Sequence, residues 1–301
     1  MDTMIALQLT MFIMIFTGFF VKRLGMVGKE GQKNITDLVI YIILPCNIVK
    51  SFLVDFSADT LIRFAVIFLI SVLIQAGCVI FGKVVYRNQP EGRRKCLQYG
   101  IICSNAGFLG NPLAEGVFGS MGLTLASVYL IPQRIMMWSS GLAVFTGNTD
   151  RKTVVKKVLT HPCILACVLG LILMLTQAKL PGFLRQSVET LGNCNTAMSM
   201  MVIGMILADI RKEHLLDWDI VLYTLFRLVL IPLVIYIPLR LLSVDPLVTG
   251  VSVLLAAMPA GATTSILASK YDSDPEFATK LVVFSTLISM ITTPVWSFLL
   301  V

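Results

Sequence analysis

Charged residues are scarce in this sequence. Asp, Glu, Lys and Arg together make up 14% of its 301 residues, whereas soluble domains carry about 25%. Hydrophobic residues reach 56% and the mean hydropathy is +0.86. This composition excludes an ordinary soluble domain and indicates a polytopic membrane protein. The net charge of +7 is then best explained by orientation in the bilayer, and we expect no nucleic-acid partner.

Residue types that build enzyme and metal sites are also scarce. Histidine occurs only at His161 and His214, and there is no HExxH, P-loop or GxSxG motif. The seven cysteines include no CxxC pair. Cys163 and Cys167 share a helical face, but two thiols without further ligands make a poor metal site. We therefore expect small buried cysteines, no metal, no cofactor, no catalytic residues and no enzymatic activity.

Long apolar runs are what the sequence does contain. Ten runs of roughly 18–24 residues are long enough to cross a bilayer as helices, which predicts an all-α membrane protein. No positively charged segment precedes the first run and no cleavage site follows it, so we predict a retained helix and not a signal peptide. The ten predicted spans are Met4–Val21, Asn34–Leu53, Thr60–Gly82, Leu97–Gly119, Leu123–Phe145, Leu159–Ala178, Ser187–Ala208, Asp219–Leu242, Leu247–Ala268 and Phe277–Leu300.

The spans form two sets of five, in residues 1–146 and 159–301, joined by a basic linker at residues 147–158. Lys and Arg favour the loops after odd-numbered spans by roughly three to one, which places those loops in the cytoplasm and both termini outside. We expect a multi-pass protein of the cell (plasma or inner) membrane. With five spans each, the two halves enter the bilayer from opposite sides, which predicts an inverted repeat.

Helix-breaking residues occur at matched positions in the two halves. The segments around Pro112 and Pro259, in the fourth and ninth spans, match at an offset of 147. In the second and seventh spans, Leu44–Asn47 matches Gly192–Asn195 at an offset of 148. Proline interrupts a helix, and freed backbone groups are costly in hydrocarbon unless protein, ligand or water satisfies them. We predict broken fourth and ninth helices that cross and face a transport site.

An interrupted helix presents N–H groups at the start of its second part, and these suit an anionic group. The alternative is that small residues merely allow close packing of helices. The residues that we predict to bind the anion are Asn105, Asn111, Pro112, Arg134, Asn47, Asn193, Asn195, Pro259, Gly261, Thr263 and Thr264.

Four ionisable residues in or near the spans also need a role. Arg134 and Arg227 fall inside predicted spans, where a charge is expensive and usually functional. We predict that Arg134 pairs with the charge of the substrate, whereas Arg227 is better explained as a structural partner for carbonyls of the broken helices. Glu115 and Asp209 are possible proton-coupling carboxyl groups, since a partly buried carboxyl can titrate near neutral pH.

The segment Asn105–Pro112 resembles the N-x-G-F-x-G-x-P signature of the auxin efflux carrier family, of the bile/arsenite/riboflavin transporter superfamily. The last two spans are also similar to that family, in Met258–Thr264, Ser285–Ser289 and Thr293–Trp296. The short linker after the fifth span is similar to the bacterial members. One difference matters, because plant carriers have Asn beside the second proline where this sequence has Met258. Recognition of indole acetate is therefore not carried over.

This resemblance implies a ten-helix fold like that of Na⁺/H⁺ antiporters and bile acid transporters. Spans 1, 2, 6 and 7 would form a scaffold and homodimer interface, and spans 3–5 and 8–10 a transport domain that moves like an elevator. The implied function is permeation or efflux of small organic anions such as mono- or dicarboxylates, and bacterial members are associated with malate and malonate. The coupling ion, H⁺ or Na⁺, stays open. The alternatives are a sodium-coupled symporter of the bile acid type and a ligand-sensing receptor that does not transport.

Overall fold

The computed structural model describes residues 2–53, 57–147, 151–208 and 217–301. Throughout these ranges the regular structure is helical, and one isolated antiparallel bridge joins Ser104 to Ala260. The prediction of an all-α protein is confirmed. The helices are α1 (Asp2–Arg23), α2 (Lys29–Leu38), α3 (Leu44–Ser51), α4 (Ala58–Val85), α5 (Glu91–Ile102), α6 (Asn111–Met136), α7 (Leu142–Thr146), α8 (Arg151–Leu159), α9 (Pro162–Thr176), α10 (Gly182–Ala208), α11 (Trp218–Leu225), α12 (Ile231–Leu241), α13 (Pro246–Ala256), α14 (Thr263–Lys270) and α15 (Pro275–Leu300).

Seven helical stretches within the described ranges are long and apolar enough to cross a membrane, and two further apolar helices, α9 and α13, are shorter. The prediction of a multi-pass membrane protein is therefore supported, and the count of ten crossings stays a prediction. The seven stretches are Ile5–Arg23, Lys29–Ser51, Ala58–Val85, Ala106–Thr146, Gly182–Ala208, Trp218–Leu241 and Pro275–Leu300.

The stretch Ala106–Thr146 is longer than one crossing requires. Its 41 residues would extend about 60 Å as a straight helix, twice the thickness of the hydrocarbon core. Gly119 divides it, with φ 69° and ψ −162° inside the helical run. A positive φ of this kind is readily adopted only by glycine. The chain therefore turns at Gly119, where the sequence predicted the end of the fourth span.

Three of the prolines in the spans follow π-helical turns. Three such turns, Val39–Ile43, Ala106–Gly110 and Phe226–Leu230, end directly before the pairs Leu44-Pro45, Asn111-Pro112 and Ile231-Pro232. A proline lacks the N–H donor and clashes with the carbonyl four residues back. A π turn inserts one extra residue and shifts that carbonyl away. The helix consequently continues through Pro112, and the prediction that Pro112 itself breaks the helix is wrong.

The second and seventh spans are also continuous. Helix α10 runs from Gly182 to Ala208 without interruption through Gly192–Asn195, and Leu44–Asn47 lies within helix α3. The interruptions expected at these matched segments are therefore absent from the described helices.

The linker at residues 147–158 also differs from a simple loop, because helix α8 occupies Arg151–Leu159.

The helices pack in two groups. Helices α1, α3, α9 and α10 pack mainly against one another, and α4, α5, α6 and α11 to α15 form the second group. The backbones of α1 and α10 approach so closely that a Cβ atom on Gly204 would lie 1.9 Å from the carbonyl oxygen of Ile15. Glycine is required at this contact. Direct contact between backbones is a means of helix association in membranes, where the hydrophobic effect is weak.

Candidate functional site

Two interrupted helices meet in the interior of the second group. Helix α5 ends at Ile102 and helical structure resumes at Ala106, while α13 ends at Ala256 and α14 begins at Thr263. We call the two connecting segments, Cys103–Asn105 and Ala257–Ala262, the junction. The Asn105 N–H donates to the Pro259 carbonyl oxygen at 2.8 Å, and the Gly261 N–H donates to the Cys103 carbonyl oxygen at 3.0 Å. The junction segments thus satisfy part of each other's backbone.

The first break lies upstream of the position that the sequence indicated. Pro259 lies in a break, as predicted. The other break ends at Asn105, and Pro112 lies seven residues further on, inside a helix. Helices α5 and α13 end 154 residues apart, at Ile102 and Ala256, and not at the offset of 147 that the two prolines suggest. The two prolines therefore do not occupy corresponding places in the fold.

Arg227 connects the ends of both broken helices. Its side chain is 2% exposed. Its Nε donates to the Met258 carbonyl oxygen at 3.0 Å, and one terminal nitrogen donates to the Ile101 carbonyl oxygen at 3.1 Å. Helix C-termini carry unsatisfied carbonyls and a partial negative charge. Arg227 satisfies one carbonyl at each end and offsets both partial charges, as the structural interpretation of this residue predicted.

Two side chains that sequence reasoning did not select also hold the junction. The Gln133 Nε2 donates to the Ser104 carbonyl oxygen at 2.9 Å, and its Oε1 accepts a hydrogen bond from the Ser104 hydroxyl at 3.3 Å. The Ser285 hydroxyl accepts from the Ala260 N–H at 3.2 Å. A glutamine buried at membrane depth beside Arg134 was the available signal for the first contact.

Seven predicted binding residues lie in the junction or at the start of the helices that leave it, and Pro112 and Pro259 are two of them. Asn105 and Gly261 form the backbone contacts described above, and Thr264 is fully buried in the first turn of α14, as is Asn111 at the start of α6. Thr263 is half-buried. Within the described structure, neither amide atom of Asn111 nor the Thr264 hydroxyl has a hydrogen-bond partner. Such buried polar atoms are costly to leave unpaired and are candidates for contact with a ligand.

Asn47, Asn193 and Asn195 belong to a separate cluster between α3, α6 and α10. The Asn195 Nδ2 donates to the Asn47 Oδ1 at 3.3 Å, and Asn47 donates to the Gly192 carbonyl oxygen at 3.2 Å. These amides therefore have protein partners. Asn193, which is exposed, accepts a hydrogen bond from the Lys50 ammonium at 2.8 Å.

Glu115 forms an ion pair in the same cluster. Its Oε1 lies 2.8 Å from the Lys50 Nζ, with both side chains 24% exposed, and its Oε2 accepts from Asn47 at 3.3 Å. This pair joins α3 of the first group to α6 of the second. Asp209, the other predicted proton-coupling residue, lies outside the described residues. In the described part of the chain, no group of three His, Cys, Asp or Glu side chains could hold a metal ion.

Arg134 lies deep in the protein but makes none of the junction contacts described above. Its side chain is 6% exposed, and neither terminal guanidinium nitrogen has a hydrogen-bond partner in the described structure. Its neighbour Gln133 points to the junction, so Arg134 lies about 100° further round the helix. The predicted charge partner Arg134 is thus the chain neighbour of a residue that contacts the junction, but it lies on another face of α6.

A small cavity separates the two helix groups beside the junction. Its volume is about 10 Å³, which is close to the minimum for one water molecule. It has no room for an organic anion in this conformation. The cavity is lined by Gln8, Met11, Phe12, Ile15, Leu109, Leu113, Ile203, Thr286, Ser289, Met290 and Thr293.

Comparison with known proteins places the chain among transporters. A family model described as "Membrane transport protein" matches residues 3–156 and 148–297. An uncharacterized transporter of Methanocaldococcus jannaschii is 24% identical over 305 residues, and one of Methanothermobacter thermautotrophicus is 27% identical over 299 residues, each match covering 97% of both chains. The uncharacterized transporter YfdV of Escherichia coli is 22% identical over 303 residues, with 96% of this chain and 95% of that protein covered.

Proposed function

This chain belongs to the membrane transport protein family, the auxin efflux carrier family, and on that premise we propose that it carries small organic anions across the cell membrane. The transport is secondary active or facilitative, and the substrates are mono- or dicarboxylates. The anion binds at the junction, to the first N–H groups of the helices that begin at Ala106 and Thr263. Asn105, Asn111 and Thr264 complete this site.

One observation carries this proposal, which is the charge of the junction. The two C-terminal helix ends are offset by Arg227, so their partial negative charge is not available to a cation. The first N–H groups of a helix have no carbonyl partner within it and carry a partial positive charge. The segments Ile101–Pro112 and Leu255–Ser265 contain no Asp or Glu to offset them. The junction is therefore left positive, which favours an anion.

The arrangement of the helices supports an elevator motion. The group of α1, α3, α9 and α10 corresponds to the proposed scaffold, through which two copies form a homodimer. The group that contains the junction corresponds to the moving transport domain. The cavity between the groups is nearly closed, as expected of a state in which no substrate is exposed. Ten crossings, an inverted 5+5 repeat with crossed fourth and ninth helices, and termini on the outer side belong to the same proposal.

Flux of labelled acetate and succinate into proteoliposomes tests the anion site. A hydrogen bond to a charged group contributes about 1.5–3 kcal/mol, so Asn111→Ala should raise the KM of a transported carboxylate about 10- to 100-fold. Asn34→Ala is the matched control, because Asn34 is an exposed asparagine in α2. Unchanged flux in Asn111→Ala and Asn105→Ala together would remove the site from the junction.

The same vesicles separate the alternatives. Replacing external Na⁺ with K⁺ abolishes uptake by a sodium-coupled symporter of the bile acid type but leaves uniport unchanged, and a pH gradient identifies proton coupling. Binding of a carboxylate detected by thermal stabilisation, without flux or counterflow at any gradient, would instead identify a ligand-sensing receptor and contradict the proposed transport.

A further inference from the structure

Two buried arginines differ in whether their guanidinium groups have hydrogen-bond partners. Arg227 donates to two backbone carbonyls, at the ends of α5 and α13. Arg134 is almost as buried, at 6% exposed, yet neither terminal nitrogen has a partner in the described structure. A charged group at membrane depth is expensive unless it is paired. The contacts of Arg227 therefore account for its burial, whereas the described contacts of Arg134 do not account for the burial of its charge.

Arg134 lies at the contact between α6 and α9. The thiol of Cys167 on α9 lies 3.6 Å from the carbonyl oxygen of Ser127 on α6. The two helices are therefore in contact at Cys167, one helical turn after Cys163. Arg134 is seven residues beyond Ser127, about 10 Å along α6, and His161 is six residues before Cys167, about 9 Å along an antiparallel α9. Arg134 is thus level with the beginning of α9. Its guanidinium lies near His161 and both of these cysteines.

This contact offers Arg134 no negative charge from its own helices. Between Gly116 and Phe145 the sequence contains no Asp or Glu, and α9 contains none either. His161, at the beginning of α9, offers no negative charge. Its Nδ1 already accepts the Cys163 N–H at 3.3 Å. In the part of the chain that the structure describes, α6 and α9 therefore supply no counter-charge to Arg134.

We propose that Arg134 is a second anion-binding point, at the interface of α6 and α9, where the transported anion docks before it reaches the junction. The proposal rests on the proposed function, because it takes the docking anion to be the substrate. In the proposed topology α9 begins on the cytoplasmic side, so this point serves the cytoplasmic half of the pathway. It lies between the moving group, which contains α6, and the scaffold, which contains α9.

Charged thiol reagents test this point without measuring transport. In a variant that keeps Cys163 as its single cysteine, the reagents are the anionic sulfonatoethyl and the cationic trimethylammonioethyl methanethiosulfonate. At an effective dielectric constant near 20, a unit charge about 10 Å away speeds the anionic reagent and slows the cationic one by roughly tenfold each, so we expect Arg134 to shift the ratio of the two rates by roughly 100-fold. Arg134→Gln should abolish this preference and Arg134→Lys should retain it. A variant with only Cys194, which is exposed, is the control and should show no dependence on Arg134.

The other results overturn the proposal. Equal rates for the two reagents, or no labelling of Cys163 at all, would mean that anions do not reach Arg134. A preference seen in phosphatidylcholine vesicles but lost in phosphatidylglycerol vesicles would identify a lipid phosphate as the occupant. A retained preference without flux of acetate or succinate would contradict the transport proposal and leave the anion site in place, so the two failures are distinguishable.

Discussion

Replacing Arg227 with Met should destabilise the protein strongly, because the side chain is 2% exposed and satisfies two carbonyls of the junction. Each buried carbonyl left without a partner costs about 1–3 kcal/mol, which gives about 2–6 kcal/mol in total. This corresponds to a fall of about 4–24 °C in the Tm, at about 2–4 °C per kcal/mol as in domains of roughly 150–250 residues. Arg227→Lys keeps the charge but has no planar fork to reach both carbonyls, so its Tm should fall less.

Thermal unfolding of the detergent-solubilised protein, followed by tryptophan fluorescence, measures these shifts. Arg63→Met is the matched control, since Arg63 forms an ion pair with Asp245 at 3.1 Å but is 38% exposed. An exposed pair of this kind is worth about 0–1 kcal/mol, so its Tm should barely change. If Arg227→Met and Arg63→Met shifted the Tm equally, the argument that Arg227 holds both broken helices would be refuted.

Two further predictions follow from local geometry. Gly119→Val should lower the Tm by several degrees, because Gly119 has a φ of 69° that a β-branched residue adopts only with strain; an unchanged Tm would contradict the turn. Exchanging the charges of Lys50 and Glu115, which lie 2.8 Å apart, should restore flux that each single reversal reduces, whereas equal defects in all three variants would exclude the pair.

The breaks illustrate the limit of local inference. Proline is a local steric signal, so Pro112 and Pro259 were the natural positions for interruptions. A π turn absorbs Pro112, however, and the first break lies at Cys103–Asn105, which contains no proline. Its hydrogen-bond partners lie far away along the chain, in the other junction segment, Ala257–Ala262, and in the second half of α6. No pattern within a single span reports that such partners are available.

The amino-acid sequence by itself determined the class of protein, the helical character of the chain and its family, because apolar runs, scarce charge and short signatures are properties of neighbouring residues. It also identified Arg134 and Arg227 as cations at membrane depth. Only the tertiary structure decided which of the two has hydrogen-bond partners within the described protein. Arg227 donates to carbonyls of α5 and of the junction segment that follows α13, whereas Arg134 packs against a face of α9 that lacks carboxylates. The difference arises because hydrogen-bond partners are assigned by packing between helices, which no single helix encodes.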